Sequence, residues 1–150
     1  MKIKSKKPLN WWKKKFWSVF SQYIRQRDKG VCFTCNKVIP DYYDRYGTLL
    51  EGWKAGQAGH FITAKNCGLK LYFHEQNVHC QCYHCNVNLS GNWLEYEKKI
   101  IQVYGQEFCD KLKAMKYEPD IKYKDFDYER LIEEYKEKIR ELPEEASDGR

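Results

Sequence analysis

The sequence lacks any uninterrupted apolar run of about 18 residues, the length at which a segment becomes a candidate membrane-spanning helix. A secretory signal is missing as well, because WWKKKFW follows the initial MKIKSKK where an apolar stretch and a small-residue cleavage site would stand. No internal repeat occurs, which excludes solenoids and repeat arrays. The chain of 150 residues is therefore expected to be a cytosolic protein with one domain and a modest core.

Seven cysteines are present, yet their odd number and the missing secretory signal argue against a disulfide framework. Four of them form two C-x2-C pairs, Cys32 with Cys35 and Cys82 with Cys85. Such a turn places two thiolates on one side of a zinc ion, and two turns complete a closed tetrahedral site. The long interval 36–81 between the pairs implies that zinc staples an inserted ribbon and loop. We predict a structural zinc at this quartet.

Other cysteines and a histidine lie near or between these pairs. Cys80 and His84 could replace one zinc ligand, but the C-x-C spacing of Cys80 and Cys82 cannot reproduce the two-residue turn. We therefore interpret His84 as a surface residue, and we interpret the remaining cysteines as small apolar residues, namely Cys67, Cys80 and Cys109.

Positive charge concentrates at the N-terminal end of a chain whose formal net charge is +6. Lysines there are interleaved with tryptophans, whereas the last helical pattern and the tail PEEASDGR are acidic. A basic surface with aromatic residues suits a nucleic-acid backbone, although a lysine arm that serves solubility alone gives the same pattern. The residues predicted to contact DNA are Lys13, Lys14, Lys15, Arg25, Lys65 and Lys70.

Hydrophobic periodicity predicts most of the helices and strands. Apolar residues at three- and four-residue spacings predict helices at 11–27, 86–104, 107–117 and 128–142, the last with Asp125 or Asp127 as its N-cap. Short segments rich in β-branched and aromatic residues predict strands at 60–64 and 69–73, which 78–82 extends or pairs with. A long irregular loop is predicted at 40–59. We expect an α+β protein.

Three polar residues fall in or beside these predicted elements. His60 lies in a predicted strand, Asn77 stands before the second cysteine pair, and Asn86 follows that pair where a helix is predicted to begin. This order of strand, strand and helix resembles the ββα-metal motif of HNH (His-Me finger) nucleases. In that family the first histidine activates water, the middle asparagine orients the hairpin, and the residue that opens the helix binds a divalent ion. The resemblance implies that His60 and Asn77 serve catalysis and that Asn86 binds Mg²⁺ or Mn²⁺.

Several longer segments resemble a narrower group. The asparagine directly after the second cysteine pair resembles that of phage resolvases of the endonuclease VII type. The resemblance is closer to the phage recombination family called NinG or Rap. Five segments within residues 18–142 carry it: FSQYIRQRD, AGHFITA, YFHEQNVHCQCYHCN, LSGNWLEY and YGQE.

This resemblance implies a ββα-metal core stapled by a four-cysteine zinc site and flanked by an N-terminal amphipathic helix and C-terminal helices. It also implies an endonuclease that cuts branched recombination intermediates, such as Holliday junctions or D-loops, in a bacterial cell infected by a phage or carrying a prophage. Junction resolvases generally need two active sites, and the C-terminal apolar helices offer an interface for a homodimer. The expected organisation is a basic arm at 1–10, the nuclease domain at 11–117, a helical extension at 118–142 and a disordered acidic tail at 143–150.

One position departs from the HNH pattern. Many HNH nucleases place an aspartate or histidine immediately before the catalytic histidine as a further metal ligand, and this chain has Gly59 there. His79 or Glu75 could take that part, and we favour His79. Without a replacement the divalent site would be weak, and the alternative function is a zinc-stabilised DNA-binding module with an inactive site. A third interpretation is a zinc-bearing protein adaptor, which predicts little salt-dependent binding of DNA.

Overall fold

Residues 6–144 are described by the computed structural model, which combines helices with small antiparallel sheets. Within them β1 pairs with β2 and β3 with β4, and no helix is long and apolar enough to cross a membrane. The predicted α+β class is confirmed. Residues 1–5 of the predicted arm and 145–150 of the predicted tail lie outside the described part. The elements are α1 (Leu9–Arg27), β1 (Tyr42–Tyr43), β2 (Leu49–Leu50), β3 (Gln57–His60), α2 (Leu69–Tyr72), β4 (Val78–Gln81), α3 (Trp93–Tyr104), α4 (Gln106–Met115) and α5 (Asp125–Glu141).

The first and last helices pack against each other through their apolar faces. Four-residue spacings put Phe16, Phe20 and Ile24 on one side of α1, where all three are buried. Burying each such side chain stabilises the fold by about 1.5–3 kcal/mol. The helix predicted at 11–27 is confirmed, and the segment predicted as a C-terminal extension shares a core with it. The buried residues of α1 contact those of α5 in this core, and the buried residues of α5 are Tyr128, Ile132 and Tyr135.

The start of α5 differs from the prediction. Lys124 precedes the helix, so neither Asp125 nor Asp127 is the N-cap residue. Asp127 acts from inside the first turn instead, where its carboxylate accepts a hydrogen bond from the Lys124 amide at 2.8 Å. The helix is therefore longer at its start than the predicted range 128–142.

The hairpin of β3 and β4 carries the residues of interest. Gln57 pairs with Gln81 and Gly59 with His79 in an antiparallel register. All four residues of β4 are buried. On one side the hairpin packs against α1, because Val78 belongs to the core that α1 and α5 share. Within the ribbon predicted at 60–64 and 69–73, only His60 pairs with this strand, through Val78, so the predicted pairing of 78–82 is confirmed at that position alone.

A second core lies on the segment that follows β3. Phe61 and Ile62 are buried immediately after the strand. Helices α3 and α4 pack onto these two residues. The chain before His60 therefore packs against the core of α1 and α5, and the chain after His60 belongs to the core of α3 and α4. The helix predicted at 107–117 is confirmed as α4. The other members of this cluster are Leu71, Tyr96, Ile100, Cys109 and Leu112.

The strand predicted at 69–73 is wrong, because Leu69–Tyr72 form the short helix α2. The Asp120 carboxylate accepts hydrogen bonds from the Leu69 and Lys70 amides at 2.9 and 3.1 Å. Amides at a helix start have no partner within the helix. Asp120, which is distant in sequence, therefore caps α2, and this contact cannot be predicted from the residues around α2.

The strand predicted at 60–64 is correct only at His60. Strand β3 covers Gln57–His60 and so lies mainly inside the predicted loop 40–59, which also contains β1 and β2. The backbone turns away after His60 because the Asn77 side chain binds both the amide and the carbonyl of Ile62. A side chain thus replaces the partner strand at that point.

The helix predicted at 86–104 is interrupted. A π-helical turn over His84–Asn88 follows the second cysteine pair. The chain then passes through Ser90, Gly91 and Asn92 with φ values of 50°, 92° and 50°. Serine, glycine and asparagine are poor helix formers, and positive φ is incompatible with a right-handed helix. A separate helix, α3, therefore begins at Trp93.

Candidate functional site

The four cysteines of the two C-x2-C pairs meet in space. Their Sγ atoms all lie within 4.8 Å of one another. The Sγ atoms of Cys35 and Cys82 are 3.8 Å apart, as expected for two ligands of a tetrahedral zinc with bonds of about 2.3 Å. The structure thus brings the predicted quartet together at the point where the turn after α1 meets the segment after β4. Four close sulfurs fit a soft ion such as zinc, whereas Mg²⁺ and Mn²⁺ prefer oxygen.

Burial and local hydrogen bonds set the acidity of these thiols. Burial raises the pKa of Cys82, while partial desolvation together with hydrogen bonds to the Cys32 and Cys85 thiols raises the pKa of the more exposed Cys35 to about 12. Burial also opposes ionisation of Cys32, but hydrogen bonds from the Thr34 hydroxyl and from backbone amides lower the pKa of Cys32 to about 6. Because zinc binds thiolates, binding of the ion must displace protons from this cluster.

Asn77 fixes the loop that follows His60. Its side chain is fully buried, and its Oδ1 accepts a hydrogen bond from the Ile62 amide at 2.7 Å. Its Nδ2 donates to the carbonyls of Ile62 and Leu71 at 3.2 and 3.0 Å. All three bonds go to backbone, so Asn77 is placed to position the loop and not to touch a reacting atom.

His60 stands at the end of β3 with one ring nitrogen engaged. Nε2 lies 3.0 Å from the Tyr72 carbonyl oxygen, which can only accept, so Nε2 carries the proton and Nδ1 keeps its lone pair. The ring stacks on Trp17, with centroids 5.1 Å apart and 16° between the planes. Burial lowers the pKa of His60, and the nearby charge of Lys13 lowers it further. An oriented, neutral imidazole is the form that can take a proton from water.

His79 is engaged elsewhere. Its ring is 2% exposed, stacks on Phe33, and has Nδ1 3.0 Å from the Tyr96 hydroxyl and Nε2 2.8 Å from the Tyr104 hydroxyl. Tyr96 donates its only proton to the Gly59 carbonyl at 2.7 Å, so it accepts from Nδ1–H, and Tyr104 donates to Nε2. Both ring nitrogens are therefore occupied. This geometry contradicts the prediction that His79 binds the divalent ion.

Glu75, the other candidate to replace the missing ligand, is also engaged. Its Oε1 accepts hydrogen bonds from the Tyr135 hydroxyl and the Lys138 ammonium group, both at 2.7 Å. The two partners belong to α5, so Glu75 fastens that helix to the loop before β4. We therefore assign Glu75 a structural role and not a role as a metal ligand.

Replacing His79 with leucine is expected to lower the free energy of unfolding by about 2–4 kcal/mol, because the buried Tyr96 hydroxyl and the half-buried Tyr104 hydroxyl each lose their hydrogen bond to the imidazole. The pH dependence changes too. Burial lowers the pKa of His79 to about 2, against 6.5 for an unperturbed histidine. Below pH 6.5 the unfolded state therefore binds a proton that the folded state does not. This group alone makes wild-type stability fall by up to about 1.4 kcal/mol per pH unit on acidification.

Urea unfolding at pH 7 and pH 5 measures both effects of His79→Leu. The variant should be less stable at pH 7 and should lose less stability than wild type on going to pH 5. His84→Leu serves as the matched control, because His84 is exposed. An unfolding free energy in His79→Leu equal to that of wild type would contradict the buried network.

The Asn86 side chain lies against the Cα of Gly59. Its Nδ2 donates to Oε1 of Gln57, and its Oδ1 lies 2.9 Å from the point that a Cβ on Gly59 would take. Oε1 of Gln81 lies 1.9 Å from the same point. Two amide oxygens thus converge beside the residue that precedes His60. Such oxygens are hard ligands of the kind that Mg²⁺ and Mn²⁺ bind.

His60 and Asn86 flank the end of β3 from opposite faces. Successive strand residues point to opposite sides. His60 packs against Trp17 of α1, whereas Asn86 approaches Gly59 from the other side. The two predicted site residues therefore meet at the end of β3: His60 is the last residue of the strand, and Asn86 contacts the preceding residue, Gly59.

A comparison with known proteins identifies the family of this chain. A family model described as "Bacteriophage Lambda NinG protein" matches residues 1–145. The chain belongs to the NinG family. No solved structure matches it.

Two curated NinG relatives show the extent of the likeness. Protein ninG of Escherichia phage lambda is 30% identical over 109 residues, which cover 72% of this chain and 47% of the relative. Protein ninG of Salmonella phage P22 is 27% identical over 147 residues, which cover 95% of this chain and 63% of the relative. The chain thus spans about half the length of the phage lambda protein.

Lys13 is the predicted DNA contact that lies beside His60 in this NinG-family chain. Its ammonium group sits 4.3 Å from the centroid of the Tyr72 ring, which packs against the His60 ring. This places a positive charge next to the histidine. Three of the other predicted contacts are exposed: Lys14, Lys15 and Lys65.

Two predicted DNA contacts are held by other groups of the protein. Arg25 donates hydrogen bonds to the carbonyls of Ser21 and Lys54. Lys70 forms an ion pair with Glu118 at 2.7 Å. Both side chains therefore have structural partners, and Lys14, Lys15 and Lys65 make up the exposed part of the predicted set.

Gln81, Trp17 and Tyr72 also lie at the site, although they were not predicted from the sequence. Trp17 and Tyr72 enclose the His60 ring from α1 and α2, and no residue spacing announces such a contact. Gln81 did leave a signal, since it is a polar residue between two cysteines in a strand that is otherwise largely apolar. Buried polar side chains need partners.

Proposed function

We propose that this NinG-family chain is a metal-dependent DNA endonuclease of the HNH, or ββα-metal, type. The observation that carries the proposal is the state of His60. Its ring is neutral, stacked on Trp17 and bonded through Nε2 to the Tyr72 carbonyl, which leaves the Nδ1 lone pair available as a base. The order of hairpin, zinc ligand and Asn86 around it further supports an HNH site.

In this proposal His60 is the general base. A phosphodiester anion repels nucleophiles, so hydrolysis near neutral pH needs a group that takes a proton from water. Nδ1 accepts that proton while Nε2–H stays on the Tyr72 carbonyl and holds the ring in place. Lys13 supplies positive charge beside the histidine, where a phosphate oxygen would lie.

Asn86, together with phosphate oxygens of the substrate, would hold a Mg²⁺ or Mn²⁺ ion. When bound, this ion neutralises charge that builds on the phosphate and the leaving oxygen. Asn86 directly follows Cys85, so the zinc site fixes its position and has no part in the chemistry. Since HNH nucleases commonly take a metal ligand and the base from consecutive residues, the placement of Asn86 over Gly59 supports the proposal.

The proposed substrate is a branched recombination intermediate, such as a Holliday junction or a D-loop, in a phage-infected or prophage-carrying bacterial cell. The similar NinG proteins come from phages, and the basic residues of α1 suit a nucleic-acid backbone. Paired nicks across a junction need two active sites, so the proposed active form is a homodimer.

Cleavage of a labelled four-way junction and of its matched linear duplex tests the substrate. In Mg²⁺ or Mn²⁺ the junction should be nicked faster than the duplex. Binding should weaken steeply with salt, because each lysine–phosphate contact releases counterions. Equal cutting of both substrates would keep the endonuclease and remove the branch preference.

A zinc-stabilised DNA-binding module with an inactive site is the second candidate. One observation favours it: Gly59 supplies no ligand where the HNH pattern has an aspartate or a histidine. This candidate predicts salt-dependent binding of the junction without cutting in any divalent ion. A protein adaptor would instead show little salt-dependent binding.

A further inference from the structure

Gln81 has a buried side-chain oxygen without a hydrogen-bond partner, the one such case among the described side chains. The residue is 0% exposed. Its Nε2 donates to the Gly91 carbonyl at 3.0 Å and to the Thr34 hydroxyl at 3.2 Å. Since a carbonyl can only accept, the bond to Gly91 fixes which end of the amide is which. Oε1 must therefore face away from Gly91.

The unpaired oxygen faces the space above Gly59. A Cβ on Gly59 would lie 1.9 Å from Oε1 of Gln81 and 2.9 Å from Oδ1 of Asn86. The Asn86 amide is oriented in the same way, because its Nδ2 donates to Gln57. Two acceptors thus converge without a donor between them. A buried acceptor such as Gln81 Oε1 is costly unless a cation or a hydrogen-bond donor contacts it.

This arrangement explains why glycine stands before His60. The backbone of Gly59 needs no left-handed conformation, since its φ is not positive. A side chain there would collide with the Gln81 carboxamide. Gln81 and a residue with a side chain at position 59 are therefore mutually exclusive occupants of one space.

We propose that Gln81 Oε1 is a ligand of the divalent ion, in the place that the residue before the catalytic histidine takes in other HNH nucleases. The inference rests on the proposed function, because it uses the same metal site. Gln81 and Asn86 offer two neutral oxygens, and few charged ligands mean low affinity. Gln81 Oε1 is buried and Asn86 is half-exposed, so a phosphate oxygen would approach the ion from the side of Asn86. These two residues would hold the ion firmly only together with phosphate oxygens of DNA.

Mn²⁺ binding to the zinc-loaded full chain, measured from the paramagnetic signal of unbound Mn²⁺ with and without DNA, tests the proposal without any cleavage. Gln81→Met keeps the length of the side chain and removes the oxygen, so Mn²⁺ affinity should fall by about tenfold or more. Gln76→Met is the matched control, since Gln76 is exposed, and it should bind like wild type. Zinc content and circular dichroism confirm that each variant is folded.

A double variant tests the same space from the other strand. In Gly59→Asp/Gln81→Ala a carboxylate takes the room that the carboxamide leaves, and Mn²⁺ should bind about tenfold more tightly than to wild type. Should Gln81→Met fail to fold, the double variant still shows whether a divalent ion occupies this space. Wild-type Mn²⁺ affinity in either folded variant would overturn the proposal and leave a water molecule as the occupant. Loss of cleavage in His60→Ala would still support the nuclease, so the two failures are distinguishable.

Discussion

Cys35→Ser is expected to remove the zinc ion from the protein and to lower its melting temperature by at least about 10 °C. The substitution touches little else, because Cys35 is the exposed member of the quartet. Structural zinc sites contribute about 10–16 kcal/mol in small zinc domains, comparable with the total stability of about 5–15 kcal/mol that a domain has. An ion held by these four thiolates would tie the turn after α1 to the segment after β4, so its loss would free the long insertion between them.

Metal analysis of the purified protein and thermal unfolding give both results in one experiment. Wild type should carry one zinc per chain, and Cys35→Ser should carry almost none. Cys67→Ser is the matched control, since Cys67 lies outside the quartet and is half-buried. Retention of stoichiometric zinc in Cys35→Ser would mean that another group completes the site.

His60→Ala should lower the rate of DNA cleavage by about 10²–10⁴-fold, the range usual for loss of a general base. The wild-type rate should fall on acidification, because protonation of Nδ1 removes the base. Burial lowers the pKa of His60 below its ordinary value of 6.5, so the midpoint of that acid limb is expected below pH 6.5. The variant should show no such limb.

Single-turnover cleavage across pH 5–8 measures these effects, and junction binding shows that the variant is folded. His74→Ala is the matched control. His74 is half-buried and its pKa is also lowered by burial, but it has no part in the proposed chemistry. Cleavage by His60→Ala at the wild-type rate would remove His60 from the mechanism.

Helices with one apolar face could be predicted from the sequence, and α2 could not. The three- and four-residue spacing in α1 is a local property, and burial of Phe16 and Phe20 follows from it. Leu69–Tyr72 contain aliphatic and aromatic residues that suit a strand, yet the Asp120 carboxylate caps the first amides and a helix forms. Tertiary contacts of this kind override local preference.

The candidate site also contains residues that could be predicted from the sequence and residues that could not. The clustering of the four cysteines was predictable because two short C-x2-C turns suit a single tetrahedral metal site. His79 was misassigned because strand alternation gives the face of a side chain, not the groups that α3 brings to it. Two tyrosine hydroxyls, of Tyr96 and Tyr104, occupy its ring. Gln81 has no spacing rule of its own, and only its unpaired oxygen in the folded chain points to a ligand.

The most direct test of a divalent-dependent nuclease is an ion-triggered reaction. Zinc-loaded protein is bound to a labelled four-way junction in the absence of free divalent ions, and Mn²⁺ is then added. We predict nicks that appear only after Mn²⁺ is added and that do not form when excess EDTA accompanies the ion. A stable protein–junction complex that stays uncut in Mn²⁺ and in Mg²⁺ would contradict the account and favour the DNA-binding module.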